Sequence, residues 1–373
     1  MRTRSGRGAA RDNAIVDTDR AGDIPHGAEG PVAGRWLVLG KDGRLTAYAR
    51  TRTAVLRWTE RRPGGPDWQG PDVIPVGGLT HVFAVQGADT YVHFIGRRQV
   101  RRGDGPPAVD VVHAIQYQTG RAVTDWRSLG NPHKDPAKAA RFGIPAGAVS
   151  ASGTVYVFAR NAGGGIMLRR ELPGGKWSEW TDLKGSQAQD PMALVAHDSG
   201  HVEAMVPGTN VIMRWTQDQP DGEFRQAPNI PVAAARDSAV ALETAPGRTT
   251  YFWTDPTTGG VAAHRPGGWV FPLGGVPGEG PLAALRTGLD GYDCTVLAHR
   301  DVDGQVMLAA FGTENEQAGV WWTPTGERCV GSPALARDAY GRIVLGMIGA
   351  DGALYIARQS GDSGLQLARS ERV

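Results

Sequence analysis

Apolar residues fall along this chain in short runs with β-branched or aromatic members, each bounded by Gly, Asn or Pro-Gly. Such runs predict short strands joined by tight turns. The plan is clearest over Gly147 to Ala151, Val155 to Arg160, Ile166 to Arg170 and Trp177 to Leu183, four strands in succession. It recurs over Trp36 to Leu39, Leu45 to Arg50, Ala54 to Thr59 and Trp68 to Ile74. A fourth set runs from Met192 to Ala227 and a fifth from Ala239 to Leu273. Leu282 to Arg286 opens a sixth, and Ala334 to Arg337 opens a seventh that closes over Leu365 to Arg369. No convincing helical spacing interrupts them, so the expected fold class is all-β.

A bulky apolar residue marks the last strand of each set. Trp68, Trp126, Trp177, Phe224, Trp269, Trp321 and, weakly, Leu365 return roughly every 50 residues. A unit of that size cannot bury its own core and must stack on copies of itself. Seven copies of a four-stranded antiparallel unit close into a seven-bladed β-propeller, with units starting near residues 31, 79, 143, 190, 237, 280 and 332. Residues 31–373 then form one domain, and residues 1–30 a basic tail expected to be disordered. Ala14-Ile-Val16 offers the alternative of a strand added to the last blade. The tail has no apolar signal region and Arg2 and Arg4 are not adjacent, so the expected location is cytoplasmic.

Composition fits this picture and removes some function classes. The 53 Gly and 25 Pro suit a chain built on many turns. With 40 Lys plus Arg against 38 Asp plus Glu, no overall field draws in nucleic acid. No apolar stretch is long enough to span a membrane. Cys294 and Cys329 are too few for a disulfide scaffold and are expected as buried thiols.

Trp177-Ser-Glu-Trp180 followed by Leu183-Lys-Gly185 resembles the outer-strand signature of seven-bladed propeller lectins typified by the fucose-binding lectins of Photorhabdus. Trp126-Arg-Ser-Leu-Gly130 and Trp269-Val-Phe-Pro-Leu-Gly-Gly275 are partial copies, and Val211-Ile-Met-Arg-Trp-Thr-Gln217 and Val55-Leu-Arg-Trp58 resemble the family's third strand. The resemblance spans roughly residues 31 to 373, with good matches in units one, three and four, and marks a divergent member. It implies sugar pockets between blades, where aromatic rings stack on pyranose faces. Trp58 and Trp215, at matching third-strand positions, are the implied stacking residues. The same residues serve equally as filler of the wedge between blades.

The departures from the repeat point elsewhere. Unit two carries one insertion over residues 96–107 and a second over 131–142, bringing Arg97, Arg98, Arg101, Arg102, Lys134, Lys138 and Arg141. In propeller topology both rise from one face, side by side. Asp190, Asp237 and Glu279 precede innermost strands and belong to the same face, across the central channel. His81 and His197 lie in or just after innermost strands and are the histidines that could act as base or ligand. No spacing of metal ligands, nucleophile elbow or phosphate loop is present, so the sequence names no metal and no cofactor. Two readings stay open. One is a lectin-like propeller binding a glycan or another polar small molecule. The other is a small-molecule lyase, cyclase or isomerase working at the channel mouth.

Overall fold

The computed structural model describes residues 27–373 except 102, 104 and 362. The tail, with Ala14 to Val16, and Arg102 lie outside the described residues. Seven sheets follow one another along the chain, each a meander of antiparallel strands. Blade two is representative: Leu79–Gln86 innermost, then Val92–Val100, Ala108–Gln116 and Arg127–Gly130 at the rim. Innermost strands pack on their neighbours around the ring, and that of the last blade packs on Leu37–Leu39 of the first. This is the seven-bladed propeller that the repeat predicts.

The apolar residues of each strand fill the wedges between blades. Trp58 is 3% exposed within a cluster holding Trp36, Tyr48 and Ile348, and Trp215 is 1% exposed against Phe158 and Ile166. The Leu-Gly ends of the outer strands have a structural role here. Trp180, Trp215 and Trp322 donate their indole N–H to the carbonyls of Leu129 (3.2 Å), Leu183 (3.2 Å) and Leu273 (2.9 Å). In each case the acceptor belongs to the preceding blade, so the indole both fills the wedge and satisfies an outer-strand carbonyl.

Two local features differ from the sequence expectation. The innermost strand of blade one is broken into Gly30–Pro31 and Leu37–Leu39, and between them Ala33–Gly34 pairs in parallel with Phe83 and Ala84. Gly34, at φ 76°, makes this possible, because a Cβ there would strike the Ala84 carbonyl and the Phe83 ring. At the other end the outer strand of the last blade is Glu371–Arg372, paired with Tyr355 and Ile356. Leu365 and Leu367 instead pack inward against the wedge of blade six and seven residues, and only Leu367 bridges Gln359.

The seam that closes the ring is held by a buried ion pair. The Arg358 guanidinium meets the Glu60 carboxylate at 2.5 Å, with Glu60 fully buried and its second oxygen accepting from Leu45 N at 2.8 Å. Removing one partner of such a pair strands the other charge. Glu60→Ala is expected to cost about 3 kcal/mol in urea unfolding. Glu29→Ala, which breaks only exposed contacts to Arg50 and Arg52, should change stability by less than about 1 kcal/mol. Equal effects from the two substitutions would remove Glu60 from the closing seam.

Candidate functional site

The meander sorts loops onto two faces. Turns between second and third strands, and connections into the next blade, open on one face. Turns between first and second, and between third and fourth strands, open on the other. Both unit-two insertions lie on the first face, as expected, and they touch. Arg97 donates to the carbonyls of Phe142 (3.0 Å) and Ala140 (3.0 Å), and Asn131 to those of Val109 and Ala139.

Several of the expected flap cations are consumed by this construction. Gly96 to Val100 continue the second strand instead of forming a loop, so the free hairpin spans only 101–107. Arg97 also contacts Thr80 and Gln99, and Arg98 is paired with Asp110 at 2.8 Å. The 131–142 connection forms a short helix, Pro136–Ala140, capped by Asp135 accepting from Lys138 N at 2.8 Å. Arg101, Lys134, Lys138 and Arg141 are exposed and make no ion pair among the described residues.

The carboxylates across the channel mouth are not equivalent. Asp190 accepts from Arg160 Nε at 3.0 Å and Nη2 at 2.9 Å, so it fastens the connection ahead of blade four. Its burial raises the carboxyl pKa and the Arg160 charge opposes that rise. Asp237 meets no cation among the described residues. It is exposed, in a left-handed backbone conformation at φ 55°. Desolvation by its surroundings, helped by the Glu279 charge, pushes its pKa up to about 6. Glu279 is exposed beside it. His81 is exposed at the start of the blade-two innermost strand, and crowding together with Arg97 and Arg50 lowers its pKa. The cleft it shares with Arg50, Thr51 and Leu79 has a volume of about 10 Å³, room for roughly one water.

Two expectations are corrected. Trp58 and Trp215 offer no ring face to a sugar, because both are enclosed between blades. His197 does not reach the mouth lined by Asp190, Asp237 and Glu279. It follows the innermost strand Ala193–Ala196, at the opposite end of the ring, 4% exposed and bonded through Nε2 to Thr249 Oγ1 at 2.7 Å. On that opposite face Glu316 is 1% exposed and pairs with Arg265 at 2.5 Å. Both cysteines are free thiols, Cys329 buried and Cys294 half-buried, and burial pushes the Cys329 thiol up to about 12.

What sequence reading missed lies on the second face. The exposed aromatic residues are Tyr117 (49%), Trp269 (84%), Tyr292 (74%), Trp321 (74%) and Tyr340 (71%). Every one stands in, or directly beside, a turn between first and second or third and fourth strands. The flap face exposes no large aromatic side chain among the described residues. The Trp321-Trp322 doublet carried a signal. Successive side chains of a strand point to opposite sides, so only one of the two can enter the wedge.

No protein-family model and no curated protein matches the sequence. Solved structures do match in shape. One is a polysaccharide lyase, an ulvan lyase of family PL25 bound to -[GlcA(1-4)Rha3S]-. It is 12% identical with a TM-score of 0.55, covering 92% of this chain and 96% of that one. Another is an α-L-arabinanase of Penicillium chrysogenum complexed with arabinobiose, 11% identical with a TM-score of 0.52, covering 77% and 94%. A lectin of Aleuria aurantia in complex with Fucα1-6GlcNAc is 12% identical with a TM-score of 0.49, covering 78% and 94%. At these identities the likeness to the lyase and the arabinanase shows the fold alone. Among the described residues no helix is long and apolar enough to cross a membrane, and no cluster of side chains suits a metal ion.

Proposed function

We propose that this chain is a carbohydrate-binding propeller whose working face is the aromatic one. The observation that carries the reading is the sorting of all five exposed large aromatic rings onto a single face. An indole or phenol ring left in water forgoes burial that would stabilise the fold, and a flat apolar ring matches the CH-bearing face of a pyranose. Each of these rings stands out from the surface, so the ligand is held on the face instead of being engulfed. Sugar-bound propellers among the structural neighbours support the same class of ligand. Screening the protein against immobilised glycans and insoluble polysaccharides should give retention that free sugar competes away. A screen without a competed hit would end the carbohydrate reading.

Asp237 and Glu279 favour a second reading at the flap-face mouth. A carboxyl whose pKa is raised to about 6 is half protonated at pH 6 and exchanges its proton within reach of neutrality, as a general acid or base requires. The free cations Arg101, Lys134 and Arg141 would then steer an anionic substrate from the opposite rim. Any turnover found should rise or fall around pH 6, and Asp237→Asn should abolish it. Activity unchanged in that variant would dismiss the mouth as a catalytic site.

A further inference from the structure

The repeat position that precedes the outer strand is filled by tryptophan in five blades, yet it behaves in two ways. Trp68, Trp126 and Trp177 of the first three blades are partly buried and pack on wedge clusters. Trp269 and Trp321 of blades five and six stand 84% and 74% exposed. The wedge between blades five and six is already filled by Phe271, Val320 and Trp322, with Trp322 bonded to the Leu273 carbonyl. Neither Trp269 nor Trp321 joins any hydrophobic cluster among the described residues.

Their loops are nonetheless fixed to one another. Arg265, four residues before Trp269, binds both carboxylate oxygens of Glu316 at 2.5 and 2.7 Å, and that loop continues to Trp321. Arg265 also donates to the Glu314 carbonyl, while Arg248 pairs with the Glu314 carboxylate. The Trp321 ring lies against Gly319, which holds φ 95° and where a Cβ would stand 3.1 Å from the indole. Two loops of adjacent blades are thus clamped by an ion pair whose carboxylate is buried, and each presents one tryptophan.

Resting on the carbohydrate reading above, we infer that Trp269 and Trp321 are paired stacking platforms for a neutral, extended polysaccharide running along the rim from blade five to blade six. Neutrality follows from charge, because Arg248 and Arg265 are satisfied by Glu314 and Glu316 and leave no free partner for an anion. An extended chain follows from placement, since the rings come from successive repeats and both stand out from the surface. The area argues against a second protein copy. Two aromatic side chains bury roughly 300–500 Å² in total, well below the ~1,200 Å² of a stable protein interface.

Native-gel affinity electrophoresis of the full chain, with neutral β-glucan, xylan, mannan and arabinan and with acidic alginate in the gel, tests this. The protein and its Trp269→Ala, Trp321→Ala and double variants are compared, with size-exclusion chromatography alongside. Retardation by at least one neutral polymer is expected, about 5-fold weaker in each single variant and abolished in the double. Trp→Phe replacements should restore most of it, and all variants should melt like the parent because both rings are exposed. Oligosaccharides of that polymer should bind more tightly as they lengthen from one platform to two. Retardation of the double variant equal to the parent overturns the assignment while leaving the carbohydrate reading intact. Retardation by alginate alone, or a parent dimer that the double variant dissociates, overturns it as well. A parent retarded by nothing defeats both.

Discussion

Lowering the pH from 6.5 to 4.5 should strip several kcal/mol from the stability of the folded ring, through histidines sealed in neutral form. His93 and His113 face each other across the second and third strands of blade two. Nδ1 of one lies 3.0 Å from Nε2 of the other, the rings are stacked, and Trp177 stands edge-on to His113. They are 4% and 5% exposed. Burial lowers the pKa of His93 to about 4, against a small opposing pull from Asp89. Burial, then the His93 and Arg127 charges, lowers that of His113 to about 3. In the unfolded chain both titrate near 6.5. Below that pH the unfolded chain binds protons that the folded chain refuses, so stabilisation is complete above 6.5 and lost as pH falls toward 4. Each histidine contributes a slope of about 1.4 kcal/mol per pH unit in that window. His299, buried with neither ring nitrogen bonded, adds in the same direction. Asp237 opposes, because its raised pKa makes the folded chain the better proton acceptor between 6 and 4. Urea unfolding at several pH values should show the net fall, and replacing His93 and His113 together by Leu should flatten it. A parent whose stability is level from pH 6.5 to 4.5 would refute the sealed pair.

The contrast between what the sequence shows and what it hides has a physical basis. Blade boundaries were legible because a four-strand unit imposes its period on composition, so Leu45–Arg50 and Val155–Arg160 appear with the expected ends. Strand period alone does not say which way a recurring tryptophan turns. That depends on whether a neighbour such as Phe271 or Trp322 has already filled the wedge, and those neighbours come from another part of the chain. The charged residues obey the same rule. Arg160 and Asp190, or Arg265 and Glu316, find each other across seams, and neither pairing follows from local spacing. Only the side-by-side rise of the two insertions was readable, because topology alone decides it.

Trp215 gives the largest single-residue effect and separates cement from ligand platform. Its side chain is 1% exposed, enclosed by Phe158, Ile166 and Leu183, and its Nε1 proton holds the Leu183 carbonyl of the preceding blade. Trp215→Ala should cost about 4 kcal/mol in denaturant unfolding, from lost burial plus a cavity that rigid flanking strands cannot close. Trp58→Ala should fall in the same range, since Trp58 is 3% exposed at the seam between last and first blades. Trp215→Phe refills most of the wedge but leaves the Leu183 carbonyl without its donor, which adds about 1 kcal/mol to a modest packing loss. Trp269→Ala is the matching surface change, expected within about 0.5 kcal/mol of the parent. The ranking matters more than any one value. If Trp215→Ala unfolded like the parent and lost glycan binding, the indole would be reaching a ligand from a position that offers no open face. The propeller would then have to open at the seam between blades three and four to admit it.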